Sequence, residues 1–188
     1  CRAHPAPLTE LTLVGHSMGG LVARAACATA PADAPWLRVL RHVITLGTPH
    51  DGAPLEQLVH RASGLLGGIG TTATDVLRDV IAARSEGIRD LRHGRIREAA
   101  PADGPDPEAP WPAHVRLHRV VGLVGGAAPL GAVLGDGMVR AGSAGAPRGE
   151  GDVVVVRGVS HLGLLHDDRV YEAVRGFCEA GAGQEGAE

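Results

Sequence analysis

At 188 residues and a formal net charge of −3, the chain is long enough for one domain with a substantial core, and it offers no basic surface for nucleic acid. Its 18 Lys and Arg side chains are all Arg, and its three cysteines, Cys1, Cys27 and Cys178, are too few and scattered for a disulfide framework or metal cluster. No apolar run approaches the ~20 residues of a membrane-spanning helix.

The opening CRAHPAPLTE is neither an initiator Met nor a signal peptide, so the chain reads as lacking an N-terminal portion. The sparse cysteines favour a reducing compartment, and the expected location is cytoplasmic. A short apolar run from Leu11 to Val14 predicts a buried strand. A helix is expected over residues 18–30, with Leu21, Val22, Ala25 and Ala26 on its inner side and Pro31 stopping it. HVITLG, residues 42–47, predicts a second strand, broken by Gly47 and Pro49. Strand, helix, strand in this order predicts a parallel α/β unit.

Leu55, Leu58, Val59, Ala62, Leu65 and Leu66 then recur at helical spacing until Gly67, Gly68 and Gly70 interrupt them. A further helix is expected near Thr72, three residues before Asp75 as in a capping box, with Leu77, Val80, Ile81, Ile88 and Leu91 on its apolar face. These faces read as packing surfaces, not cofactor contacts. AAPADGPDPEAPWPA, residues 99–113, predicts a surface loop. VRLHRVVGLV (115–124) and DVVVVRG (152–158) predict two more strands, with Asp136 in the Gly/Ala-rich connection between them. Val170, Val174 and Phe177 space a last helix from Asp167 to Cys178, ending at Gly181. The expected fold class is therefore α/β, a mostly parallel sheet flanked by helices. Its parts are a first core segment 1–52, a helical cap insertion 53–98, the loop 99–113, a second core segment 114–180 and a frayed tail 181–188.

The chemistry is concentrated in LTLVGHSMGGLVARAA, residues 11–26. It contains Gly-x-Ser-x-Gly as Gly15-His16-Ser17-Met18-Gly19, after a predicted strand and before a predicted helix. A sharp turn there lifts the serine hydroxyl into the open, and Gly15 and Gly19 are expected to avoid collisions across it. The helix N-terminus directs its dipole at the developing negative charge, with the Met18 N–H as one oxyanion donor. A serine hydroxyl needs a base and an orienting carboxylate, and the pattern orders them acid first and His last. Asp136, in GDGMV, and His161, in RGVSHLGLL, both follow predicted strands and are the chosen pair.

His166 reads as a solvated residue beginning the last helix, Asp51 follows the second strand, and Asp152 lies at the opposite end of the sheet. His16 is expected to point away from the base, toward the pocket floor or a local hydrogen bond. His50 and Asp51 lack the further ligand spacing a zinc or calcium site needs, and a plain turn is expected.

GHSMGGLVAR, TLGTPHDGAPL, GDGMV and GVSHLGLL, in this order and spacing, resemble α/β-hydrolases of the branch holding bacterial lipases, esterases and GPI inositol-deacylase-like proteins. RSEGIRDLRHG, residues 84–94, resembles a segment of bacterial members of that branch. The likeness runs from about residue 8 to residue 180. It implies Ser17 as nucleophile, Asp136 as acid, His161 as base, Met18 as backbone oxyanion donor, and 53–98 as a cap over an acyl pocket. It also implies that the family's first strands, and the loop giving the second oxyanion N–H, are missing. A chain without them is expected to be poorly soluble and nearly inactive alone.

The function that follows is a serine carboxylic-ester hydrolase acting through an acyl-enzyme on lipid-like or medium-chain esters. Scarce aromatics leave Leu, Val, Ile and Met to line its pocket. An acyltransferase using the same triad and a non-catalytic hydrolase-derived scaffold are the other readings. No cofactor, metal, nucleic acid or transmembrane segment is expected, and the oligomeric state is not legible.

Overall fold

The computed structural model describes residues 6–51, 111–124, 136, 139, 144 and 152–182. The expected cap at 53–98 and the tail beyond residue 182 lie outside the described residues, as does most of the loop 99–113. Strand β1 spans Leu11–His16, helix α1 Met18–Thr29, helix α2 Pro35–Val39 and strand β2 Leu40–Leu46. Strand β3 follows at Arg116–Leu123, β4 at Val153–Arg157, a 3₁₀ turn at Gly163–Leu165, and helix α3 at Asp168–Ala182.

The four described strands form one sheet in the order β1-β2-β3-β4, every pair parallel. Central strands β2 and β3 are buried along nearly their whole length, as strands covered on both faces must be. Neighbouring residues supply opposite faces. Val43 and Leu117 join Cys27, Ala34, Leu37 and Leu40 on the side covered by α1 and α2. Ile44, Leu46 and Val120 join Val156, Leu164, Val170 and Phe177 on the side covered by α3. The result is a sheet between helical layers, with α1 against β1 and β2 and α3 against β2, β3 and β4.

Three details depart from the expected pattern. The inner stripe of α1 is Gly20, Leu21, Arg24 and Cys27, while Val22 is 54% exposed, because Arg24 takes an inward slot that an apolar count leaves empty. Helix α2 has only five residues and starts on Pro35, whose fixed φ suits the first helical position. Trp111, placed by composition in the surface loop, is buried against Leu37, Leu40 and Leu117's cluster, since its large apolar ring gains more from the core than the flanking prolines lose.

At the N-terminal edge of the sheet, His42 Nδ1 and His118 Nε2 lie 2.9 Å apart between β2 and β3, both buried, and His118 stacks on Phe177 at 4.1 Å. One of the two nitrogens must donate and the other accept, so the pair is compatible with only one proton between them. Burial, aided by Arg116 and Arg41 around His42 and by His42 beside His118, holds both imidazoles below the ordinary His range; Glu10 and Asp152 oppose this only in part. With a folded pKa lowered from 6.5, the unfolded chain takes up protons first as pH falls, so stability present above that value is lost below it. The unfolding midpoint is accordingly expected to fall as pH drops below about 6.5. Thermal melts of His42→Leu/His118→Leu should show a shallower fall than the wild type.

Candidate active site

Parallel strands bring their C-terminal ends to one edge, and four segments leave the sheet there. Ser17 follows β1, Gly47 follows β2, Asp136 lies in the connection after β3, and His161 comes four residues after Arg157 closes β4.

Ser17 has φ 54° and ψ −126°, the one non-glycine residue of positive φ among those described. It occupies the N-cap position of α1, where serine ordinarily caps, yet its side chain makes no capping hydrogen bond. The turn is fixed instead by backbone contacts. The Ser17 N–H donates to the Leu46 carbonyl at 2.9 Å, and the Gly20 N–H donates to the Ser17 carbonyl at 3.2 Å. Met18 opens α1, so its N–H has no acceptor within the helix.

The glycines divide differently from the expectation. A Cβ on Gly15 would stand 2.6 Å from the Gly20 nitrogen and 2.7 Å from the Gly19 carbonyl carbon, so Gly15 is needed for the turn to close. Gly19 faces open space, with nothing within 4 Å of its Cβ position. Gly20 is the second tight position, because a Cβ there would enter the Thr48 side chain.

His161 Nδ1 donates to Asp136 Oδ2 at 2.6 Å, with both residues 1% exposed. Asp136 Oδ1 accepts the Val139 N–H at 2.7 Å, and the Asp136 carbonyl accepts the His161 N–H at 2.9 Å. These bonds fix the tautomer, leaving Nε2 as the lone-pair nitrogen. Buried, that Nε2 makes no hydrogen bond among the described residues, Ser17 Oγ included. The structure thus joins Asp136 to His161 and leaves the Ser17–His161 hydrogen bond open. Such bonds often tighten only when substrate is bound.

Gly47 forms the floor beneath the pair. It has φ +57°, and a Cβ there would stand 2.7 Å from Asp136 Oδ2 and 3.1 Å from His161 Nδ1. Sequence reading treated Gly47 only as the end of a strand. Its second function leaves no local signal, because the residues it clears are about 90 and 114 positions away.

The competing residues stand elsewhere. Asp152 reaches His118 at 3.6 Å across the N-terminal edge, and His166 is exposed at the end of the 3₁₀ turn, with α3 starting only at Asp168. Asp51 is exposed. His50 and Asp51 form the expected turn, with His50 fully buried and its Nε2 3.3 Å from Thr45 Oγ1. Among the described residues no group of three His, Cys, Asp or Glu is placed to hold a metal ion, and no helix is long and apolar enough to cross a membrane.

His16 is the residue that sequence reasoning misplaced. Its ring lies 4.6 Å from the His161 ring, tilted 44°, and its Nε2 is 3.0 Å from the His161 carbonyl oxygen. It therefore faces His161 instead of turning away from it. Burial and the neighbouring His161 hold its imidazole below the ordinary His range, with the backbone bond to His161 and the Asp136 charge opposing.

Residues 2–63 match the family model of the PGAP1-like alpha/beta domain. The sequence matches no curated protein. Among solved structures, the chain is similar to the Bacillus licheniformis lipase BlEst2 in mature form, at 20% identity and a TM-score of 0.53, over 89% of this chain and 65% of that one. It is also similar to a protein of Listeria innocua, at 17% identity and a TM-score of 0.50, over 92% of this chain and 58% of that one. The fold is that of the α/β-hydrolases, and the chain spans less than two thirds of the length of either structure.

Two stability outcomes follow from this geometry. Gly20→Ala is expected to destabilise by about 1–3 kcal/mol through overpacking against Thr48, while Gly19→Ala is neutral or slightly stabilising; denaturant melts compare them. Ser17→Gly should raise stability by about 1 kcal/mol, relief of backbone strain exceeding the entropy that glycine adds to the unfolded chain. A lowered midpoint in that variant would contradict the strain assigned to Ser17.

Proposed function

We propose that this chain carries the catalytic triad of a serine carboxylic-ester hydrolase. The observation that supports it most directly is the buried 2.6 Å bond from His161 Nδ1 to Asp136 Oδ2, which leaves Nε2 as a lone-pair base at the sheet edge where Ser17 is held in a strained turn. In this reading the Ser17 hydroxyl gives its proton to His161 Nε2 as Oγ attacks the ester carbonyl. Asp136 stabilises the imidazolium that results. The Met18 N–H donates to the oxyanion. Collapse of the tetrahedral intermediate expels the alcohol, which takes the proton back from His161, and leaves an acyl-Ser17. A water molecule then repeats the sequence, and the acid is released. No metal or organic cofactor enters these steps.

The substrate class proposed is an ester of a lipid-like or medium-chain acid. Support comes from the scarcity of aromatic side chains and from the fold shared with the Bacillus licheniformis lipase. Esterase chemistry is favoured over a binding scaffold because Ser17 keeps a positive φ and an unused cap, both of which cost stability.

A fluorophosphonate probe on the full-length protein should label Ser17, with labelling abolished in Ser17→Ala and reduced in His161→Ala. Turnover of p-nitrophenyl esters should fall on the order of 10⁴–10⁶-fold in either variant. Absence of labelling in a folded wild type would overturn the reading, and transfer of the acyl group to an added alcohol in preference to water would redirect it to an acyltransferase.

A further inference from the structure

Three backbone and side-chain polar groups of His161 are tied down, and they are tied to two different partners. Nδ1 and the backbone N–H both engage Asp136, at 2.6 Å and 2.9 Å, while the carbonyl engages His16 Nε2 at 3.0 Å. Only Nε2 remains without a hydrogen bond among the described residues. A carbonyl oxygen can only accept, so His16 Nε2 carries a proton and donates. His16 is covalently next to Ser17 and is the last residue of β1. Its bond therefore links the segment carrying the base to the strand carrying the nucleophile by a path of a single residue.

We infer that His16 is a positioning residue for the base, clamping the backbone of His161 to β1 and thereby setting the separation of the Ser17 hydroxyl from the His161 imidazole. Asp136 alone cannot set that separation, since it belongs to the same side of the contact as His161 and comes from the far connection after β3. The tilted ring contact at 4.6 Å adds a wall that keeps the His161 ring from swinging toward β1. His16 touches no reacting atom in this scheme. The effect on turnover rests on the hydrolase reading above, whereas the clamp is a contact between two residues and can be tested apart from it.

The experiment compares wild type, His16→Phe and His16→Gln in the full-length protein. Phenylalanine keeps a ring and loses the donor; glutamine places an amide N–H near the position of Nε2. His16→Phe is expected to lower kcat on p-nitrophenyl esters by about 10–100-fold with KM within about twofold, the signature of a misplaced base and not of lost binding. His16→Gln should recover kcat to within about threefold of wild type. The low-field proton resonance of His161 Nδ1–H, observed without substrate, should be sharp in wild type and His16→Gln and exchange-broadened in His16→Phe. An unchanged kcat in His16→Phe, or equal losses in both variants, would overturn the inference. Where wild type hydrolyses no ester, the resonance alone decides. Its loss in His16→Phe and retention in His16→Gln would keep the clamp and remove only the hydrolase reading, and its persistence in His16→Phe would remove the clamp.

Discussion

A carboxylate and an imidazole, each 1% exposed, share a 2.6 Å hydrogen bond at the edge of the sheet. Taking either group from water without a partner would cost several kcal/mol, so the bond is tolerable only because the surrounding groups complete it. Val139 gives its N–H to the second carboxylate oxygen, and the His161 N–H closes onto the Asp136 carbonyl. Gly47 and Gly122 supply the remaining requirement, which is space. A Cβ on Gly122 would stand 2.9 Å from the Asp136 Cβ, as one on Gly47 would meet Oδ2. Both glycines belong to the central strands or their immediate ends, so the sheet itself is shaped around the buried pair.

Parallel pairing explains why residues so distant in sequence meet. In register, His16 stands beside Leu46 and Leu46 beside Val120, and the hydrogen bonds continue beyond the strand ends. Ser17 N–H reaches the Leu46 carbonyl, Gly47 N–H reaches the Val120 carbonyl, and Gly158 N–H reaches the Leu123 carbonyl, each within 2.9 Å. The ladder thus continues one residue beyond β1, β2 and β4, and Ser17 and Gly47 stand at those first positions. The opposite edge carries a different polar pair, His42 with His118, both held below the ordinary His range by burial, with His118 stacked on Phe177. The two edges thus hold two buried imidazole pairings, His161 with Asp136 at one and His42 with His118 at the other.

Much of this was legible because the signals were local. The apolar runs at 11–14, 42–47, 115–124 and 152–158 all became strands, and Val170, Val174 and Phe177 pack inward from α3 as their spacing requires. Asp136 and His161 were legible by their place after strands, and they meet in the structure. The failures are equally physical. The direction of the His16 ring could not be extrapolated from strand alternation, because the chain breaks that alternation at Ser17 with a positive φ. The inner face of α1 was misjudged because burial there selected Arg24 over Val22. Gly19 and Gly20 exchange importance because the decisive neighbour is Thr48, which a reading of the motif alone does not bring near.

Energetics connect the strained serine to the buried core. A non-glycine residue at positive φ costs on the order of 1–3 kcal/mol, and an N-cap serine that caps nothing forgoes about 1 kcal/mol more. Full burial of one Leu or Ile side chain contributes about 1.5–3 kcal/mol, so β2 alone, with Leu40, Val43, Ile44 and Leu46 buried, offsets the turn it supports. The same strand accepts the Ser17 N–H through Leu46 and clears the acid through Gly47. A strained residue persists only where its surroundings over-determine it, and here β2 does so from below while His16 and Gly15 do so from before the turn. The strain at Ser17 and the placement of the Asp136–His161 pair therefore meet in one strand, β2, through Leu46 and Gly47.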